Sequence, residues 1–397
     1  MSAAVILAAC RTPIGKFQGQ LAGFTAPELG AAVIRSVLER SGVSPDQVED
    51  VILGNVLTAG VGQAPARQAA LLAGLPNGVS AVTINQVCGS GLRAVMLADQ
   101  AIRCGDSQVI VAGGMECMSR APWLIERRQS GIGDRVLIDS LMHDGLRCGK
   151  SGLAMGVIAD RLASQHSISR ADQDHVAWQS HQRALAAQSA GLFRNELVML
   201  RTAAGRGEQL IDQDEGMRSD CTKESLARLR PAFAADGTVT AGNSSMLSDG
   251  AAALVVSSAE YAHLHGLHPQ MEIVASASSG LAPEDLFVAP VEAIRKLLAK
   301  TGRSVADVDL WEMNEAFAVQ LLACQRSLKI PFERLNVHGA AIALGHPIGA
   351  SGARVLTTLV HALQSRDAEL GVAALCLGGG NAVAMMIRRL SSDNDER

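Results

Sequence analysis

Residues 32–55 and 292–314 carry two copies of one pattern, and no other feature constrains the fold as tightly. A shift of 260 pairs Ile34 with Ile294, Arg35 with Arg295, Leu38 with Leu298, Gly42 with Gly302, Ser44 with Ser304 and Val48 with Val308. Dropping one residue then pairs Asn55 with Asn314. Each copy reads as an amphipathic helix stopped by glycine, a short polar turn, then an apolar strand. At a shift of 261, Ser90-Gly91-Leu92-Arg93 matches Ser351-Gly352-Ala353-Arg354. Both tetrapeptides open helical stretches that lead to apolar strands with glycines, VIVAGG at 109–114 and VAALCLGGG at 372–380. Solenoid repeats recur every 20–50 residues or so, which this spacing far exceeds. Chance likeness of generic strand–helix–strand sequence is the competing account. The pattern predicts an α/β chain with two similar βαβ-type halves, residues 1–117 and 250–397.

Between the halves, residues 118–249 are more polar and richer in Arg, His, Gln and Ser. Residues 167–193 read as a helix with Ser169 as N-cap and Gly191 as its stop, and the remainder as loops with short elements. An insertion of this size on a duplicated core commonly covers an active site. The tail at 391–397 reads as a solvated end.

Formal net charge is −4 and aromatics make up 3% of the chain, so neither a global basic footprint nor a set of base-stacking rings points to nucleic acid. No apolar run approaches the roughly 20 residues that span a bilayer. Residues 4–9 read as a buried first strand rather than a secretory signal, because the first basic residue, Arg11, follows the apolar stretch. The eight cysteines contain no C-x-x-C pair and no zinc-finger spacing to His, so a reduced, cytoplasmic protein is expected.

Cys88, in TINQVCGSGLRAV, stands between the end of a strand and a helix read to start at Leu92. Free N–H groups and the positive helix end are expected to lower its pKa and to stabilise an oxyanion after attack on a carbonyl. The alternative is a buried cysteine beside a structural turn. His346, between Gly345 and Pro347, is exposed by small neighbours and is able to activate a cysteine distant in sequence, or else is a turn histidine. His338 is the weaker histidine. Cys376 precedes three glycines that let a ligand approach the backbone, or is core. Asn314 is an oxyanion donor or water-orienting group, or a helix N-cap. Cys104, Cys117, Cys148, Cys221 and Cys324 lack such a setting and are expected to be buried. No G-x-S-x-G elbow, Rossmann fingerprint or P-loop is present.

Together these segments resemble the thiolase family over nearly the whole chain. The motifs are NQVCGSGLRA around Cys88, AGGMECMSRAP at 112–122, LRPAFAADGTVTAGNSS at 229–245, NEAF at 314–317, GHPIGASGAR at 345–354 and CLGGG at 376–380. The resemblance implies a duplicated, five-layer αβαβα fold with an inserted loop domain covering the coenzyme A site. It implies that Cys88 takes an acyl group from a CoA thioester, that His346 accepts its proton, and that Cys376 is the second acid/base. Asn314 would position a water that forms one oxyanion hole with His346, and the N–H groups of Cys88 and Gly378 would form the other. Ser245 and Ala241 match positions beside the pantetheine, Arg218 one near the adenine, and Met155, Ala316 and Phe317 the acyl pocket. Ala154 stands where biosynthetic members usually carry His, and Ala289-Pro290-Val291-Glu292-Ala293 replaces their Gly-Pro-x-Pro-Ala.

The implied activity is condensation of two acetyl-CoA to acetoacetyl-CoA and CoA, and its reverse, without metal or redox cofactor. A broader 3-ketoacyl-CoA thiolase is the nearest alternative, and a CoA-binding or assembly subunit of low turnover is one from another class. The family also implies a homodimer or homotetramer, with no nucleic-acid or membrane partner.

Overall fold

The computed structural model describes residues 3–127, 134–204 and 207–390; the tail at 391–397 lies outside them. The first half contributes β1 (Ala4–Arg11), α1 (Ala26–Ser41), β2 (Asp50–Gly54), α2 (Pro65–Leu72), β3 (Ser80–Ile84), α3 (Ser90–Cys104) and β4 (Val109–Cys117). The insertion holds α4 (Met155–Gln165) and α5 (Arg170–Ser189) with short hairpins and loops. After it come β5 (Ser248–Ser258), β6 (Met271–Gly280), α6 (Ala289–Thr301), β7 (Leu310–Met313), α7 (Ala318–Leu328), α8 (Ser351–Ser365), β8 (Leu370–Leu377) and β9 (Asn381–Arg389).

The strands form one mixed sheet in the order β7-β8-β9-β6-β1-β5-β4-β2-β3. Its two ends have the same pattern. β2 runs parallel to β4, which pairs antiparallel with β5, and β5 with β1; β7 runs parallel to β8, which pairs antiparallel with β9, and β9 with β6. Among the described residues, only two residue pairs, Val5 with Glu272 and Ile6 with Met271, join the halves within the sheet. This corrects the expected boundary at residue 250, which falls inside β5. Hydrogen-bonded to β1 and β4, β5 belongs to the first half, so the chain crosses over between Ser258 and Met271.

Alternation along the strands explains the layers. In β4, Val109 and Val111 face α1, while Ile110 and Ala112 face the interior containing α3. β1 begins likewise, but a bulge between Ile6 and Ala8 reverses the alternation, so Leu7 and Ala8 both join the outer cluster. The second half bulges at the matching place, between Ile273 and Ala275 of β6. α3 and α8 pack on each other and touch both half-sheets, α1 covers one outer face and α6 the other, which gives five layers.

The central helices meet where the repeat pairs glycines. A Cβ on Gly91 would lie 2.6 Å from the Ala353 nitrogen, and one on Gly352 would run into the Leu92 nitrogen. Each glycine thus lets its own helix approach the residue after the other's, a reciprocal contact like that across a two-fold axis. α5 has the expected N-cap, since the Ser169 side chain accepts from the Asp172 N–H. α4 was not anticipated, although Ile158, Ala159, Leu162 and Ala163 form a buried stripe at helical spacing.

Candidate active site

Cys88 sits in a turn that polar side chains hold. The Val87 N–H donates to Asn85 Oδ1 at 2.9 Å, the Gln86 N–H to Ser90 Oγ at 2.8 Å, and Ser90 Oγ donates to the Val87 carbonyl at 2.7 Å. These bonds hold Val87, a β-branched residue, at φ 49°, a left-handed conformation that costs energy. α3 starts at Ser90, two residues before the expected Leu92, which brings Cys88 closer to the helix end.

The other half supplies the partners. The Gly378 N–H bonds the Cys88 thiol, and the side chain of Leu377 packs against Gly89. Cys376, at the end of β8, is 2% exposed. His346 is buried, with its N–H donating to Ser248 Oγ at 3.1 Å and its Nδ1 2.6 Å from Ser351 Oγ. Ser351 Oγ gives its one proton to the Pro347 carbonyl at 2.9 Å. Nδ1 therefore carries the imidazole hydrogen, and Nε2 keeps the lone pair of a base. Ser351, the first residue of α8, was missed from sequence because its role is visible only from its partners. Asn314 is fully buried, its amide nitrogen 3.4 Å and 3.5 Å from the two ring nitrogens of His346. It is not the N-cap of α7, a position that Phe317 holds.

The electrostatics correct one expectation. Burial pushes the Cys88 thiol up to about 11, outweighing the Gly378 N–H and its own N–H, and the Glu116 carboxylate adds to the rise. Burial and then the Arg354 charge press His346 down to about 3. The resting pair is thus neutral thiol and neutral imidazole, rather than the expected thiolate. Cys376 is pushed well up by burial and by its neighbour Cys88. Glu116 accepts from Asn55 Nδ2 at 2.7 Å and from the Val56, Leu57 and Gly349 N–H groups at 3.0, 3.2 and 2.9 Å, tying both halves together beneath the site. Burial still raises it to about 7.

Cys88, His346, Cys376 and Gly378 line the inner end of a cavity of about 810 Å³. Ser245, Ala241, Met155, Ala316 and Phe317 line its walls with Phe233 and Phe287, and Arg218 lies at its exposed rim with Lys16 and Arg147. Asn314 alone among the expected site residues is off the cavity wall, behind His346. None of the three rim cations has a carboxylate ion-pair partner among the described residues. The rim suits a polyanion and the apolar walls a slender chain, a division that reads as a site for a nucleotide-headed thioester. His338 is buried against Phe193, away from the cavity. Of the cysteines expected to be buried, Cys104 is instead exposed, at the end of α3. Among the described residues no side-chain cluster could hold a metal, and no helix is long and apolar enough to cross a membrane.

Comparison with known proteins agrees with this geometry. The thiolase N-terminal domain matches residues 4–260 and the thiolase C-terminal domain residues 267–389, bracketing the crossover after β5. An acetyl-CoA acetyltransferase of Pseudomonas aeruginosa is 52% identical, covering 98% of this chain and 100% of its own. A probable acetyl-CoA acyltransferase of Staphylococcus epidermidis is 47% identical over 98% of this chain and 99% of its own. The crystal structure of the Bacillus anthracis acetyl-CoA acetyltransferase superposes with a TM-score of 0.96 at 42% identity, covering 98% of this chain and 99% of that one. With both family domains matched end to end and relatives of about half identity over their full length, the chain belongs to the thiolase family.

Proposed function

We propose that the protein is an acetyl-CoA C-acetyltransferase that interconverts two acetyl-CoA with acetoacetyl-CoA and CoA. The observation that carries this reading is the convergence of two cysteines and a histidine, from both halves, at the buried end of one cation-rimmed cavity.

Cys88 Sγ attacks the thioester carbonyl as its proton passes to His346 Nε2. The oxygen, now negative, is held by N–H donors, and its collapse expels the CoA thiolate, which takes the Cys376 proton and leaves that cysteine as thiolate. A second acetyl-CoA then loses an α-proton to the Cys376 thiolate, and its carbanion attacks the acetyl group on Cys88. Acetoacetyl-CoA leaves, and Cys88, expelled as thiolate, takes its proton back from His346. Protonated His346, donating from Nε2, forms one oxyanion site with an Asn314-held water, and the Cys88 and Gly378 N–H groups form the other. The neutral resting pair fits this scheme, because charge appears only as the carbonyl accepts it. CoA enters as substrate, its phosphates toward Arg218, Lys16 and Arg147, its pantetheine past Ser245 and Ala241, and its acyl end toward Met155, Ala316 and Phe317. No step calls on a metal or redox cofactor.

The apolar walls at Met155, Leu286, Phe287 and Phe317 also favour a second reading, a 3-ketoacyl-CoA thiolase of wider chain length. A homodimer or homotetramer is supported by the half-exposed edge strand β3, whose Val82 is 44% exposed, and free thiols fit a reducing cytoplasm.

The test is CoA-dependent loss of the magnesium–enolate absorbance of acetoacetyl-CoA. Rapid thiolysis that Cys88→Ser abolishes is expected, with slower cleavage of longer 3-ketoacyl-CoA. Faster cleavage of the longer substrates would move the second reading to first place. CoA binding with no turnover of any chain length would leave a CoA-binding subunit.

A further inference from the structure

A guanidinium buried in a protein core demands a reason, and Arg354 in the first turn of α8 is 1% exposed. Its Nη1 donates to Glu312 Oε1 at 3.1 Å and its Nη2 to Asn314 Oδ1 at 3.3 Å. Arginine has donors and no acceptor, so the amide atom that faces it has to be oxygen. That contact settles the direction of the Asn314 side chain. Oδ1 is gripped from behind, and Nδ2 is turned toward His346.

The repeat supplies an internal control. Arg93, which matches Arg354, is half-buried and has no ion pair among the described residues. Asn55, which matches Asn314, is gripped the other way round: its Nδ2 donates to Glu116 at 2.7 Å, and its Oδ1 has no partner. The first half therefore forms the equivalent helix start without a buried arginine at this position. At this place in the repeat, only the half that carries the histidine has one.

We propose that Arg354, braced by Glu312, is a positioning residue that holds the Asn314 amide with its nitrogen toward His346 and so fixes the group on which the oxyanion-site water depends. This rests on the reading of Asn314 and His346 as an oxyanion site. A second consequence comes from the charge. Glu312, Glu315, Glu196 and Arg11 surround Arg354 electrostatically, and Arg354 in turn is the charge that, after burial, depresses His346. The cation thus opposes imidazolium formation and keeps Nε2 available as base.

The experiment compares Asn314→Ala, the charge-balanced pair Arg354→Met with Glu312→Gln, and all three changes together, each checked for folding by circular dichroism and melting. The pair is expected to lower kcat for thiolysis roughly 10- to 100-fold with KM for CoA little changed, since a donor aimed at developing charge is lost. Adding Asn314→Ala is expected to cost no more than about another twofold, because the two changes remove one function. The acid limb of the kcat profile moves to higher pH once the opposing cation is gone. If the balanced pair does not fold, Arg354→Lys carries the test: kcat falls about tenfold while the acid limb stays, because the charge is kept and the fork is lost.

Wild-type kcat in a folded arginine variant, or fully multiplicative losses, overturns the proposal. If Asn314→Ala is slow while the arginine variants are not, only this inference fails. If Asn314→Ala itself turns over normally, the oxyanion reading fails and takes this inference with it.

Discussion

The two halves build the same frame and furnish it differently. Gly54 of β2 stands opposite Gly114 of β4, and Met313 of β7 opposite Ala374 of β8. Counting two residues on from each partner makes Glu116 and Cys376 equivalent. The turns before the central helices also correspond, since Ser90 and Ser351 open α3 and α8 and both donate to a carbonyl of the preceding turn. What Ser90 receives is a backbone N–H, whereas Ser351 meets the ring of His346. One half thus carries the nucleophile with a carboxylate beneath it, and the other carries the base with a guanidinium beneath it. Burial is the main cause of both shifts, and the acid adds to the rise of the thiol as the cation adds to the fall of the imidazole, so the resting site is uncharged. A further difference is where the chain was opened. β8 passes to β9 through Gly378-Gly379-Gly380, while the equivalent step from β4 to β5 holds the insertion that covers the cavity. Duplication supplied two helix ends side by side, and divergence made them unlike enough to exchange a proton.

The sharpest way to break this division of labour is to remove one thiol at a time. Cys88→Ser is expected to lower turnover roughly 1,000-fold or more, as loss of an activated nucleophile does. Cys376→Ser is expected to block condensation as severely, yet still to accept one acetyl group from acetyl-CoA on Cys88, read by intact-mass spectrometry. An unacylated Cys376→Ser protein would mean that the halves do not act in separate steps.

Next in size is the pH dependence of Cys88 alkylation. With the thiol pushed up to about 11, the thiolate fraction grows with pH across the whole accessible range. Inactivation by iodoacetamide is expected to accelerate about tenfold per pH unit between about pH 7 and about pH 9. A plateau near neutrality would indicate a preformed thiolate and undo the charge argument.

Packing gives a third test. Gly91→Ala and Gly352→Ala each force a methyl group into the backbone of the opposite helix. Overpacking of this kind costs about 1–3 kcal/mol, measured by denaturant melts. Losses of similar size at the two positions would support a reciprocal contact, and a loss at one alone would show that the helix pair is not symmetric in energy.

Much of this frame could be read in the sequence, and the parts that could not share a cause. Repeats, helix stops and Gly-rich turns are local patterns, so the duplication, Cys88, His346 and Cys376 stood out in the chain itself. The paired bulges at Leu7 and Val274 left no trace, having neither glycine nor proline to mark them. The edge of the second half was misread at residue 250 because a strand's sheet depends on partners over 100 residues away. Arg354 and Glu116 act through residues far along the chain, and Ser351 through the direction in which the His346 ring points, and single-chain spacing carries no such information. The expected thiolate failed for the same reason. A helix end can be inferred from a few residues, whereas desolvation depends on everything packed around the sulfur.

The smallest effect expected concerns the carboxylate that takes the place of Cys376 in the first half. Its four N–H donors favour the charged form, yet burial wins and raises Glu116 to about 7. A carboxyl group whose pKa is raised on folding stabilises the native state fully below its unfolded value of about 4.3, and that contribution is lost as pH rises through the folded value. Glu116→Gln resembles the protonated form and carries no such dependence. Between about pH 5 and about pH 8 the wild-type melting temperature should therefore fall relative to the variant, by a few degrees for a domain of this size. The variant also gives up some of the accepted N–H bonds, so its absolute stability is expected to be lower at every pH, and only the difference in slope is diagnostic. Calorimetry of both proteins in matched buffers measures it. Equal slopes for the two proteins over this range would mean that the N–H cradle outweighs burial and that the carboxylate is ionised at rest. The first half would then hold a fixed charge beneath Cys88, opposite in sign to the one that Arg354 holds beneath His346.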